Sequence, residues 1–327
     1  MTGLSRLTLL ALFLLAPALP GCTGDAGRND AGPADSSTPR LENGSFTADL
    51  AGVRIHYEVH GSGPVLMTVP NSWGLSLEGL RAMYRPLEER LTMVYFDPRG
   101  MGGSGPVRQA SDMGPEAVRA DFQALREHLG LGAVHAIGWS NGATNLIYLA
   151  HERPETLASA VFVHSGASYT AEHARRMQEQ HPELARAMGD FMAGVGSDED
   201  LSEEEKTERL RSLWLDTYFP AATADPATAG PALDRTFADA EFSWPHAEYT
   251  QRTWPSYDAR ELLPAIGVPS LVIAGEHDLL PPADVKPLAD GLPEATFLVF
   301  GNSGHFAPVE EPERFRDAVF RFLGVGG

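Results

Sequence analysis

The sequence predicts an α/β protein with a mostly parallel, doubly wound sheet and an inserted helical cap. Short apolar runs alternate with helically spaced segments along most of the chain, as expected for buried parallel strands covered by helices on both faces. The alternation stops between about 166 and 255, where the residues are charge-rich and helical in spacing. We therefore expect a sheet domain in two parts, 46–165 and 256–327, with a cap at 166–255.

The individual elements follow from local periodicity. Residues 53–59 alternate with period two, which is typical of a half-buried strand. Further strands are predicted from apolar runs at 65–69, 92–96, 133–137, 158–163, 270–274 and 296–300. Helices are predicted at 77–90, 115–129, 141–150 and 311–323. In such a sheet, the loops at the carboxyl ends of the strands meet at one edge, where ligands bind.

Composition and charge exclude several classes of protein. The chain has 327 residues, of which 43% are apolar, with a formal net charge of -19 and one cysteine. The acidic balance argues against a nucleic-acid partner, because a phosphate backbone needs clustered positive charge. A single cysteine excludes an intrachain disulfide framework and a cysteine-based zinc site. Residues 197–209 carry seven acids and two bases, and Ser202 with Glu205 predicts the capped start of a solvated helix.

The N-terminus has the features of a secretory signal. Residues 7–19 are apolar and follow Arg6, and this run is shorter than the roughly 20 residues of a membrane-spanning helix. The run ends in Leu-Pro-Gly-Cys at 19–22, which resembles the signal of bacterial lipoproteins. That resemblance implies a signal peptide at 1–21 and a lipidated Cys22 that anchors the protein in the bacterial cell envelope. The polar stretch 22–45 is predicted to be a flexible tether. An ordinary signal peptide with an incidental cysteine is the alternative.

The sharpest chemical motif is Gly-Trp-Ser-Asn-Gly at 138–142. It lies between a predicted strand and a predicted helix, which is the context of a nucleophile elbow. There the hydroxyl of Ser140 projects from a strained turn, and the flanking glycines leave room for the chain. A serine hydroxyl needs a neighbouring base, and the base needs an acid that holds its tautomer.

Position along the chain selects the partners of this serine. His305 lies in the loop between the last predicted strand and the terminal helix, and Asp278 follows the strand at 270–274. Glu276 and Asp284 are the rival acids. Because Ser140, Asp278 and His305 all follow strands at their carboxyl ends, we expect them to converge on one edge of the sheet.

With these motifs the chain resembles the α/β-hydrolase family over roughly residues 46–327. The segment Asp-Pro-Arg-Gly-Met-Gly-Gly-Ser at 97–104 is similar to a loop of many cap-bearing members, including proline iminopeptidases. In those proteins this loop is mostly structural. The resemblance implies a serine hydrolase that cleaves an ester or amide bond through an acyl-enzyme, without a cofactor or metal.

An oxyanion hole requires two hydrogen-bond donors that face the developing charge. One is expected to be the backbone N–H of Asn141, the residue after the nucleophile. The other should come from the loop after strand 65–69, where the family usually has His-Gly-x and this chain has Pro-Asn-Ser-Trp-Gly at 70–74. Alignment of Asn71 and Ser72 with His-Gly makes the Trp73 N–H the second donor, with the Asn71 side chain as an alternative.

The substrate remains open, as either a small molecule or a short peptide, and the sequence gives no indication of the oligomeric state. The loop at 97–104, the long helical insertion and the acidic character look most like a proline iminopeptidase-like aminopeptidase, with a carboxylesterase or lactonase as the alternative. Such an aminopeptidase would need cap carboxylates for the substrate amine, and Glu241 and Glu248 are candidates. The elbow of those enzymes usually reads Gly-Gly-Ser-Trp-Gly, however. A carboxylesterase or lactonase would use an aromatic-lined cap, and the insertion offers such residues: Trp214, Tyr218, Phe219, Trp244 and Trp254. A non-catalytic surface binding protein on the same scaffold is a third hypothesis, which the complete Ser-Asp-His set disfavours.

Overall fold

An eight-stranded sheet occupies the centre of the protein. The computed structural model describes residues 41–326, so Cys22 and the predicted signal lie outside the described residues. The strands are β1 (Gly44–Leu50), β2 (Val53–Gly61), β3 (Val65–Val69), β4 (Thr92–Phe96), β5 (Val134–Trp139), β6 (Leu157–Val163), β9 (Ser270–Gly275) and β10 (Ala295–Phe300). Their order is β1-β2-β4-β3-β5-β6-β9-β10. β2 pairs antiparallel with β1 and with β4, and the other pairs are parallel. The predicted mostly parallel sheet is confirmed.

Helices cover both faces of this sheet. They are α1 (Leu77–Tyr84), α2 (Pro115–His128), α3 (Asn141–Glu152), α10 (Pro282–Gly291), α11 (Ala307–Glu310) and α12 (Pro312–Leu323). Successive residues of β4 alternate between the two cores: Val94 packs in the same core as Phe122 of α2, whereas Tyr95 packs in the same core as Leu80 of α1. Burial on both faces explains why the strands appear in the sequence as continuous apolar runs.

The segment between β6 and β9 is helical. It contains α4 (Ala171–Gln180), α5 (Pro182–Ser197), α6 (Glu203–Leu213), a π-helix (Trp214–Tyr218), α7 (Phe219–Ala221), α8 (Pro226–Thr236) and α9 (Trp244–Thr253). Its two ends meet in a two-stranded antiparallel pair, β7 (Ser168–Tyr169) with β8 (Tyr257–Asp258). We call the residues between these strands, 170–256, the insertion.

Two details differ from the prediction. No strand was predicted in 166–255, but β7 lies there, because two residues are too few to show a period. Gly44 and Ser45, assigned to the tether, belong to β1, because they pair with Val59 and Glu58 of β2. No helix within residues 41–326 is long and apolar enough to cross a membrane.

Candidate active site

Ser140 occupies a strained turn between β5 and α3. Its backbone has φ 53° and ψ -123°, a conformation that costs a non-glycine residue about 1–3 kcal/mol and is found preferentially at functional sites. The turn is fixed on both sides, since the Ser140 N–H donates to the Val163 carbonyl at 2.8 Å and its own carbonyl accepts from Ala143 and Thr144. The structure therefore has the elbow geometry that the sequence predicts.

The two glycines of the elbow are required by close backbone contacts. A Cβ at position 138 would lie 2.5 Å from the carbonyl carbon of Gly142, and a Cβ at position 142 would lie 2.4 Å from the Val69 carbonyl oxygen. Both distances are shorter than any van der Waals contact, so α3 can approach β3 and β5 only because side chains are missing at these two positions.

Asp278 and His305 are joined by hydrogen bonds at the same edge of the sheet. The Nδ1 atom of His305 lies 2.9 and 3.0 Å from the two carboxylate oxygens of Asp278, and both residues are buried. The Leu280 N–H also donates to Asp278. Burial by itself would raise the pKa of Asp278, but the charge of His305 and the hydrogen bonds from His305 and His164 outweigh burial and hold that pKa below its usual value.

The loop that carries His305 is held against the elbow. The Trp139 indole N–H donates to the His305 backbone carbonyl at 2.8 Å. The centroids of the Trp139 and His305 rings lie 5.2 Å apart. The His305 N–H donates to the Ala222 carbonyl of the insertion at 2.6 Å. Within the described residues, the Ser140 hydroxyl makes no hydrogen bond to His305. Such bonds often shorten only when substrate binds.

Comparison with known proteins identifies the family. Residues 68–312 match the sequence profile of the alpha/beta hydrolase fold family. The chain belongs to the α/β-hydrolase family. The matched range includes the insertion and the strands from β4 to β10, whereas β1 and β2 precede it.

Three similar proteins illustrate the range of the family. A 2-hydroxy-6-oxononadienedioate/2-hydroxy-6-oxononatrienedioate hydrolase from Paraburkholderia phymatum is 25% identical over 83% of this chain and 91% of its own. A proline iminopeptidase from Lactobacillus crispatus is 24% identical over 71% of this chain and 80% of its own. The solved structure of an alpha/beta fold family hydrolase from Bacillus anthracis superposes with a TM-score of 0.71 at 19% identity, covering 86% and 99% of the two chains.

Asn141 connects the elbow of this α/β-hydrolase family member to the loop at 70–74. Its side-chain oxygen accepts from the Ser72 N–H at 2.8 Å and from the Ser72 hydroxyl at 2.6 Å. Its backbone N–H, at the first position of α3, has no acceptor among the described residues. Helix N-termini favour negative charge. This N–H is therefore available to a developing oxyanion.

The N–H of Trp73 has an acceptor within the protein. It donates to the side-chain oxygen of Asn71 at 3.1 Å. Because that oxygen faces Trp73, the Asn71 amide nitrogen points elsewhere, and it has no acceptor within residues 41–326. The assignment of Trp73 as the second oxyanion donor stays a prediction, and the Asn71 amide is the competing donor in the same loop.

Aromatic side chains of the insertion lie above His305. The Tyr218 ring packs edge-on to the His305 ring, with 6.4 Å between the ring centroids. It also packs edge-on to the Trp214 ring, at a centroid distance of 4.7 Å. The Trp214 ring in turn packs edge-on to the Trp73 ring at 6.3 Å. Both Trp214 and Tyr218 are half-buried and belong to the π-helix, a rare conformation that is frequent at functional sites. Of the other predicted aromatic residues, Phe219 and Trp244 are buried in the core, and Trp254 packs on Tyr148 and Tyr257.

The two candidate cap carboxylates are exposed. Glu241 lines a surface cavity of about 480 Å³ together with Glu203, Glu204 and the loop at 100–106. The lining of this cavity includes none of the three predicted catalytic residues. Glu248 lies on the outer side of α9.

The loop at 97–104 is held by buried polar contacts. Asp97 accepts hydrogen bonds from the Leu77 N–H, the Gly103 N–H and the His56 ring, at 2.7 to 3.0 Å. Arg99 donates from Nε and from Nη2 to the two carboxylate oxygens of Asp121, each at 2.7 Å. These contacts agree with the structural role that the resemblance implies for the loop.

His164 is a component of the site that the sequence analysis missed. It follows β6 directly, and its Nδ1 atom lies 3.0 Å from Asp278. Position was an available signal, because His164 follows an apolar strand at its carboxyl end in the same way as Asp278 and His305. The periodicity of the neighbouring residues carries no information about which atom the ring contacts.

Proposed function

We propose that this α/β-hydrolase is a serine hydrolase that cleaves an ester or amide bond through an acyl-enzyme. Ser140 is the nucleophile, His305 the general base and acid, and Asp278 the acid that orients His305. The observation that supports this most strongly is the double hydrogen bond from His305 to the buried carboxylate of Asp278, beside a serine with strained backbone.

Each step of the reaction has a group to carry it. His305 Nε2 accepts the proton as Ser140 Oγ attacks the carbonyl carbon, and the resulting oxyanion is stabilised by the Asn141 N–H. The second donor comes from the loop at 70–74. The Trp73 N–H can be this donor once its hydrogen bond to the Asn71 side chain breaks, and the Asn71 amide is the alternative donor. His305 then protonates the leaving group, and water hydrolyses the acyl-enzyme by the same route.

Between the two substrate classes, the surroundings of His305 favour an ester or lactone. An aminopeptidase needs a carboxylate that receives the substrate amine, and the cavity beside Glu241 is separate from the three catalytic residues. The side chains that approach His305 from the insertion are aromatic, and they suit an apolar acyl or alcohol group. The aminopeptidase activity remains the rival, because proline iminopeptidases are among the relatives.

Active-site labelling tests the nucleophile. A fluorophosphonate probe should modify the wild-type protein, and Ser140→Ala should abolish the labelling without unfolding the chain. A folded wild-type protein that resists the probe would contradict the proposal. A panel of p-nitrophenyl esters and amino-acid anilides, including a proline anilide, then separates the substrate classes. Turnover of anilides but not of esters would overturn the ester preference.

We also propose that the protein is anchored to a membrane of the bacterial cell envelope through a lipidated Cys22. The support is the Leu-Pro-Gly-Cys sequence after an apolar run, followed by a polar stretch. In cells, Cys22→Ser should move the protein from the membrane fraction to the soluble fraction. A variant that stays in the membrane fraction would show that Cys22 is not the anchor.

A further inference from the structure

The triad carboxylate lies between two imidazole rings. On one side Asp278 accepts from His305, and on the other side its Oδ2 atom lies 3.0 Å from Nδ1 of His164. The side chain of His164 is completely buried, and its ring lies 5.4 Å from the ring of His305. A reaction through Ser140, His305 and Asp278 does not itself require this second ring.

The neighbours of His164 determine which ring nitrogen carries the proton. The backbone N–H of Ala307 points at Nε2 of His164, at 3.2 Å. A backbone N–H can only donate, so Nε2 must be the acceptor and the proton must be on Nδ1. His164 therefore donates its Nδ1–H to Asp278 as a neutral imidazole. Burial lowers the pKa of His164, although Asp278 opposes this, and the neutral form agrees with both hydrogen bonds.

A metal ion is a poor alternative explanation for this cluster. The ligand atoms of His164, Asp278 and His305 lie within 4.8 Å of one another, close enough to share an ion. Both ring nitrogens of His164 already have partners, however, and a metal at Asp278 would displace two hydrogen bonds. The hydrogen-bonded arrangement accounts for every polar atom of the His164 ring.

We propose that His164 is a positioning residue: its donation to Asp278 fixes the carboxylate against His305 and limits how strongly that carboxylate stabilises protonated His305. This inference rests on the proposed catalytic roles of Ser140, Asp278 and His305. A carboxylate oxygen that already accepts from His164 has less negative charge to offer to a second donor. The orientation of His305 is kept, because the carboxylate stays fixed between the two rings.

Other ionisable groups act on the same carboxylate. These groups are Glu310 of α11 and Tyr218 of the insertion. Burial is the main cause that raises the pKa of each, and the negative charge of Asp278 raises it further. These two groups and His305 are unchanged when His164 is replaced. A shift seen in a His164 variant can therefore be assigned to the lost donor.

Two amide side chains separate the functions of the two ring nitrogens. In His164→Asn, the amide nitrogen can occupy the position of Nδ1 and still donate to Asp278. In His164→Gln, the longer amide reaches the position of Nε2 near Ala307 but not Asp278. The backbone of His164 has φ 54°, which asparagine tolerates better than most residues. His135→Asn is the control, because this ring bonds Ser159 on β6 and touches none of the catalytic residues.

The experiment measures the rate of fluorophosphonate labelling at Ser140 from pH 4.5 to 9, on variants shown to be folded by circular dichroism. His164→Gln should lower the maximal rate about tenfold and move the acid limb upward by about half a pH unit or more. His164→Asn should stay within about twofold of the wild type, and His135→Asn should match it. A folded His164→Gln variant with the wild-type profile, or equal losses in both variants, would overturn the proposal. Absence of labelling in the wild type would instead contradict the proposed function.

A measurement on the unmodified protein covers the case in which a variant fails to fold. In ¹⁵N-labelled wild-type protein, the imidazole signals of His164 should report a proton on Nδ1 and none on Nε2 between pH 5 and 9. A proton on Nε2, or a second proton appearing in this range, would exclude donation from a neutral ring and overturn the proposal.

Discussion

At the scale of single residues, the elbow shows how tightly the backbone constrains the choice of side chain. Ser140 keeps an unfavourable φ because its N–H and carbonyl are bonded on both sides. The cost is offset by hydrogen bonds that neighbouring elements supply. The flanking glycines are a second consequence of the same close approach, since the chain segments around Ser140 contact each other through backbone atoms.

Gly142→Ala should therefore destabilise the fold. The added methyl carbon would lie 2.4 Å from the Val69 carbonyl oxygen. The methyl carbon is bonded directly to the Cα and the oxygen belongs to the backbone, so neither can rotate away. We expect a loss of about 1–3 kcal/mol in the free energy of unfolding, as for other overpacked sites. Urea unfolding measures the change.

A matched control lies in the insertion. A Cβ at Gly189 of α5 would meet nothing within 4 Å. Gly189→Ala should leave the urea midpoint unchanged or raise the stability by up to about 1 kcal/mol, because alanine favours helix. An unchanged midpoint for Gly142→Ala would show that β3 and α3 can separate without cost.

At the scale of elements, a buried histidine couples the insertion to the sheet. His246 of α9 donates its Nε2–H to the Arg99 carbonyl at 2.7 Å, and its Nδ1 accepts from the Ser243 hydroxyl at 2.7 Å. Since a carbonyl can only accept, the proton of the neutral ring is on Nε2, and Nδ1 is then the acceptor for the Ser243 hydroxyl. Burial lowers the pKa of His246 to about 4, and the hydrogen bond to Arg99 offsets this effect only in part.

This lowered pKa makes the protein sensitive to acid. Between the unfolded value near 6.5 and the folded value near 4, the unfolded chain binds the extra proton, so stability falls as the pH falls through this window. His246 alone should account for roughly 3 kcal/mol across the window, and His135 and His164 act in the same direction. Urea midpoints between pH 4 and 7 measure the slope.

His246→Gln can keep a donor to Arg99 but cannot take up a proton, so its stability should depend less on pH in this range. The control is His151→Gln, because His151 is exposed near the end of α3. Equal slopes for the wild type and for His246→Gln would contradict the assignment of acid sensitivity to this residue.

Element boundaries show what local sequence can and cannot determine. The capping box predicted at Ser202 is present, with its hydroxyl accepting from the Glu205 N–H at 3.2 Å, because both partners lie within one helical turn. The helix predicted at 77–90 ends at Tyr84 and continues as a 3-10 helix at Arg85–Glu89. Pro86 lacks the N–H that an α-helix would need there.

At the scale of the whole molecule, the fold and the meeting of Asp278 with His305 were predictable from order along the chain. Both follow from one rule, that loops after parallel strands meet at a single edge. The hydrogen bond of Trp73 to Asn71 and that of His164 to Asp278 were not predictable, because each depends on side-chain orientation in three dimensions. The side-chain contact of Asn141 was not predictable either. Only its backbone N–H was predicted to have a role, whereas its side chain also holds the loop at 70–74.

The insertion has a further consequence for how specificity can change in such a protein. Because β7 and β8 are neighbouring strands, the insertion leaves and re-enters the sheet domain at adjacent points. A helical insertion of another length, joined to the chain between β7 and β8, would leave the strand order of the main sheet unchanged. The insertion also contacts the site, however, because the His305 N–H donates to the Ala222 carbonyl within it. A replacement insertion would have to bring its own acceptor to this spot, so the part of the protein that is easiest to replace also helps to hold the proposed catalytic base.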